Sequence, residues 1–95
     1  MTRMPRVHQD YRVAFLRFLD HGEESALTTG YDIGRRALGA GLPLLDLARV
    51  HHEVVIEVLA EPHADPVNVA EAASAFLLEV LAPYEMSRRS AHAPD

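Results

Sequence analysis

Glycine and proline constrain this chain most. They gather at Pro5, in DHGEE at 20–24, in GAGLP at 39–43 and in AEPHADP at 60–66. Both residues are poor in a helix interior, so the intervals between them are the stretches free to be helical. In each interval apolar residues recur at spacings of three and four, and none alternates as a strand would. The pattern predicts helices over 6–20, 24–39, 44–60 and 67–88, an all-α four-helix bundle. The 95 residues make a single domain, residues 1–95, with a core over about 6–88 and a tail over 89–95. The end of that tail, SAHAPD, is expected to fray. GAGLP reads as a helix stop followed by a start, with glycine free to take positive φ and proline tolerated early in the next helix.

Composition excludes several functions. The net charge is −5, and the nine basic side chains are all arginines. That leaves no basic stripe for phosphates and argues against nucleic acid. Without cysteine there is neither a disulfide frame nor a thiolate metal site. No apolar run is expected to reach the ~20 residues of a membrane span, and MTRMPRVHQD has no apolar core of a secretory signal. A cytoplasmic address, with no membrane partner, follows by default. At 48% apolar residues the chain can build a core, though one this short gains from a second subunit.

The first segment places Val7, Tyr11, Ala14, Phe15 and Phe18 on one side. In the second, Ala26, Leu27, Gly30, Tyr31, Gly34, Ala37 and Leu38 share a face, opposite Thr28, Asp32, Arg35 and Arg36. Two mid-helix glycines cost roughly 1 kcal/mol each against alanine. Close approach of another helix backbone would offset that, either inside the bundle or at a dimer seam. The third segment has a narrow polar stripe, Asp46, Arg49, Glu53 and Glu57, and is apolar or histidine elsewhere. This apolar arc covers about two-thirds of the wheel, against the ~100° that one core face needs. Such a helix lies at the centre of a bundle or touches a second body. Leu44, Ala48, Val55 and Leu59 lie near the middle of the arc, Val50 and Val54 on one flank and Ile56 on the other. His51 falls within it, and His52 near an edge. The fourth segment carries a core stripe of Val69, Ala73, Phe76, Leu77, Val80, Leu81 and Tyr84. A second strip, Ala75, Leu78, Ala82 and Met86, lies off that face and reads as a contact surface. Pro83 removes a backbone hydrogen bond, so a bend or an end is expected there.

Three chemistries compete for the histidine pair. Neighbours on a helix point about 100° apart, so His51 and His52 cannot readily share one ion, and neither HExxH nor Glu-x-x-His is present. No metal or other cofactor is therefore expected. His52-Glu53 echoes the start of the histidine-kinase dimerisation box, which makes a histidine phosphotransfer module with His52 as phosphoacceptor the alternative function. In the structural reading His51 is buried or half-buried and hydrogen-bonded to a carbonyl or a tyrosine, leaving His52 to a surface. Ser25, Ser74, Ser87 and Ser90 lie in no catalytic context, and GAG at 39–41 lacks the lysine of a phosphate-binding loop. No enzymatic activity is expected.

YRVAFLRFLDHGEESAL, YDIGRRALGAGLPLLDLARVHHEVV and FLLEVLAPYEM resemble the N-terminal domain of RsbU, the PP2C-type phosphatase of the bacterial general stress response. The resemblance spans about residues 11–88 and is most specific across the second and third segments. It implies a dimeric helical bundle that docks a kinase-like switch protein of the RsbT type. That protein activates an attached phosphatase, which acts on an anti-anti-sigma factor. It also implies a docking face built from Glu24 and Thr28 with Leu78 and Ala82. Thr28 departs from the family, where a bulkier aromatic would anchor better. Such domains also look able to head other signalling chains, so the output need not be a phosphatase.

Overall fold

The computed structural model describes residues 6–92, the side chains of the last two excepted. Four helices follow one another: α1 (Val7–His21), α2 (Glu24–Gly39), α3 (Leu44–Leu59) and α4 (Pro66–His92), with no strand among the described residues. The punctuation acts as its chemistry requires. Gly22 ends α1 at φ 63°, its N–H donating to the Phe18 carbonyl, and Gly41 takes φ 78° in the turn between α2 and α3. The α4 start is capped by Asp65, whose Oδ1 accepts from the N–H groups of Val67 and Asn68, with Pro66 as the first helical residue.

Two differences concern α4. The helix runs through Pro83, which is buried, and does not end there. It also extends to His92, so much of the expected tail is helical; residues 93–95 lie outside the described range. Its Pro66–Ser90 portion is long and apolar enough to meet a length-and-composition test for a membrane span, contrary to the expectation above. The inward stripe of that same helix is the bundle core.

α1 and α4 form the inner pair, with α2 and α3 packed on either side of them. Phe76 of α4 is the hub. Its ring lies 5.1 Å from Tyr11, 5.7 Å from Phe15 and 6.3 Å from Phe18. Tyr11, Phe15, Ile33, Leu47, Val54, Val69, Phe76 and Val80 are the largest fully buried side chains. Each such aliphatic or aromatic side chain contributes about 1.5–3 kcal/mol through burial. Ile33 belongs to this core although the α2 periodicity above omitted it.

Gly30 and Gly34 belong to the bundle interior. A Cβ on Gly34 would run into the Val80 backbone carbonyl, and one on Gly30 would lie 3.0 Å from the Phe76 ring. The glycines therefore let α2 and α4 run side by side in the same direction at close range, and both are buried. The alternative of a dimer seam at these glycines is thereby corrected, because α4 of the same chain fills the space.

The rotation of α3 also differs from the expected one. Leu47, Val54 and Val58 point inward, while Leu44, Ala48 and Leu59, expected near the middle of the buried arc, are exposed. An arc covering most of a wheel cannot choose its own centre. Contacts from α1 choose it instead: Arg12 Nε reaches Glu57 at 3.2 Å and His8 Nε2 reaches Glu57 at 3.1 Å. These draw the polar stripe toward α1 and turn the opposite flank to solvent.

Candidate protein-docking site

On α2, Glu24, Thr28 and Tyr31 follow one another at helical spacing, so they stand in one row. Glu24 and Thr28 are exposed, and Tyr31 is half-buried. Thr28 turns its hydroxyl back to its own helix, donating to the Glu24 carbonyl at 3.5 Å. That leaves its methyl group outward, a small apolar contact.

On α4, the strip Ala75, Leu78, Ala82 and Met86 lies beside the core stripe. Leu78 is 68% exposed and Met86 56%, while Ala75 and Ala82 are half-buried. The two rows meet where the Tyr31 hydroxyl donates to Met86 Sδ at 3.6 Å. Glu24, Thr28, Leu78 and Ala82 thus lie on two neighbouring helices whose rows are joined at Tyr31 and Met86. Sequence reasoning assigned Tyr31 to the core. Its place three residues after Thr28 and seven after Glu24 was the signal that it also borders the outer row.

Beside this face sits a charged clamp. Arg35 and Arg36 both bind Asp32, at 2.8 and 3.1 Å. The Arg35 hydrogen bond, aided by Arg36, holds the Asp32 carboxyl below the usual range. At the far end of α4, Arg89 bonds Glu85 at 3.3 Å. An acidic Glu24 at one end and a greasy Leu78 nearer the middle leave the face amphipathic.

The histidine pair divides its roles. His51 is half-buried, and its Nδ1 accepts from the Tyr11 hydroxyl at 2.7 Å. Burial pushes the Tyr11 phenol up, so it keeps its proton and donates. Burial, and then the neighbouring His52, push the His51 imidazole down, which keeps it neutral and accepting. His52 is exposed. Around it on α3, Leu44, Leu45, Ala48, Ile56 and Leu59 are exposed as well, with Leu45 at 77% and Ile56 at 52%. This second apolar face was hidden in the sequence by the width of the α3 arc.

Elsewhere an open groove of about 530 Å³ runs between α1 and α2, floored by Val13, Ala14, Ala26 and Ile33. Arg17 and Arg36 stand on its rim, and no histidine lines it to activate Ser25. Among the described residues no three His, Asp or Glu side chains converge as metal ligands would.

No curated protein and no solved structure matches this chain. A family model does, over residues 9–87, under the description "Phosphoserine phosphatase RsbU, N-terminal domain". That stretch includes all four helices and both rows of the α2/α4 face. The chain belongs to the RsbU N-terminal domain family, the regulatory part of a phosphatase that is separate from its catalytic domain.

Proposed function

We propose that this domain is a non-catalytic receiver, a cytoplasmic module that pairs with itself and docks a kinase-like switch protein of the RsbT type. Docking regulates a stress-response phosphatase or another signalling output. The observation that carries the reading is the joined α2/α4 face: Leu78 is 68% exposed beside Ala82, and Tyr31 and Met86 link its row to that of Glu24 and Thr28. A folded monomer gains nothing by holding leucine in water at the middle of its longest helix. A partner that covers it gains apolar burial, and Glu24 offers a polar rim contact.

The test is a calorimetric titration of the domain with an RsbT-type protein. Leu78→Asp is expected to retain its helical circular dichroism and to lose binding. Wild-type affinity in that variant would remove the assignment of this face. The rival reading, phosphotransfer through His52, draws on the exposure of that residue. It predicts acid-labile phosphate at His52 after incubation with a phosphorylated response regulator or kinase. Docking without such a label supports the receiver.

A further inference from the structure

The apolar face of α3 is separate from the docking face on α2 and α4, and no part of the chain covers it. Leu44, Leu45, Ala48, Ile56 and Leu59 are all exposed, in a line that includes His52. Exposed leucines scattered singly need no explanation, but a continuous line on one helix marks a contact. The charges on its edge indicate what the contact is with.

Arg49 borders this line and makes no ion pair among the described residues, not even with Glu53 one turn later. Glu53 has only His8, at 3.9 Å. A two-fold axis that packs two copies of α3 antiparallel sets the same edge of each copy side by side. Leu45 of one copy then faces Ile56 of the other, and the small Ala48 receives the larger His52. Arg49 lies beside Glu53 of the other copy, and the reverse pair forms by symmetry. These three pairings share one centre near Val50 to within about one residue, ~1.5 Å along the axis. Large side chains meet small ones, and opposite charges meet across the seam. A parallel arrangement would set Arg49 against Arg49 and Glu53 against Glu53.

We infer that the exposed stripe of α3 is the self-association seam of this domain, closed by a second copy of the same helix running antiparallel. This rests on the reading that the domain dimerises, and it leaves the α2/α4 face open for the switch protein. One dimer would thus present two docking faces.

The full chain, studied by analytical ultracentrifugation over a concentration series, tests it. Wild type is expected to sediment as a dimer. Leu45→Asp should sediment as a monomer with unchanged helicity, its dissociation constant raised roughly tenfold or more. Arg49→Glu and Glu53→Arg should each weaken the dimer, and the two together should restore it. The chain has no cysteine, so two single-cysteine variants, Leu45→Cys and Ile56→Cys, report the direction. They should cross-link when mixed and not separately. A wild-type dimer that survives Leu45→Asp overturns the seam while leaving dimerisation intact. A wild type that is monomeric throughout removes the dimer and the seam together. Loss of switch-protein binding in Leu45→Asp without loss of the dimer gives the stripe to that partner and also overturns the seam.

Discussion

The Tyr11 hydroxyl lies 2.7 Å from His51 Nδ1 and ties α1 to α3 beside the aromatic hub. Tyr11 is fully buried and His51 only half, so the bond spans the boundary between core and solvent. Its polarity depends on protonation. A neutral imidazole accepts at Nδ1, whereas an imidazolium can only donate.

Acid should therefore destabilise the fold through this pair. The folded-state pKa of His51 lies below its ordinary value of 6.5. The unfolded chain takes up the proton first as pH falls, so the stabilisation is complete above about 6.5 and declines below it until the folded protein is protonated too. Urea titrations in neutral and mildly acidic buffers should show that loss in wild type. His51→Gln, which still accepts the bond but does not titrate, should flatten it. Tyr11→Phe should cost about 1 kcal/mol at neutral pH.

Gly34 and Gly30 should respond differently to alanine. Alanine relieves about 1 kcal/mol of helix cost at either site. At Gly34 the new methyl meets the Val80 backbone, which cannot yield without parting α2 from α4. A net loss of about 2–3 kcal/mol is expected. At Gly30 it meets the edge of the Phe76 ring, which can shift, so the change should stay within about 1 kcal/mol. Chemical denaturation of the two variants measures the contrast, and equal losses would contradict the close α2/α4 approach.

Tyr84 holds the turn between α2 and α3. Its hydroxyl donates to the Leu42 carbonyl at 2.7 Å. Tyr84→Phe leaves that carbonyl unpaired by the protein and should cost about 1 kcal/mol. Amide exchange should quicken around residues 40–43 more than in α1, a local signature that a general loss of stability would lack.

Thr28 is the smallest member of the proposed docking row. Thr28→Tyr should leave stability unchanged, since the side chain is exposed. It should tighten binding of an RsbT-type protein by about 1–2 kcal/mol, roughly tenfold, by adding an aromatic anchor. Weaker binding in the calorimeter would show that Thr28 meets its partner too closely to grow.

Much of the bundle was legible in the residues alone. Gly22 and Gly41 sit where helices stop, and Asp65-Pro66 where one starts, because these residues act through their own backbone and need no neighbours. The inward residues of α1 and α4 were equally readable, since each helix has one dominant apolar stripe. The off-core strip Ala75, Leu78, Ala82 and Met86 followed from the same periodicity. The arrangement of α3 did not, because its apolar arc exceeds what one face requires and hydrophobicity alone cannot orient it. Arg12, His8 and Tyr11 come from another helix, and their bonds to Glu57 and His51 turn α3 to its final angle. The close pairing of α2 with α4 is likewise a matter of packing; Gly30 and Gly34 permitted it, and the Phe76 ring and the Val80 backbone made use of it. Local chemistry determined where each helix begins, ends and is apolar. Only contacts between helices decided which histidine is held inside and which greasy side chains were left in water.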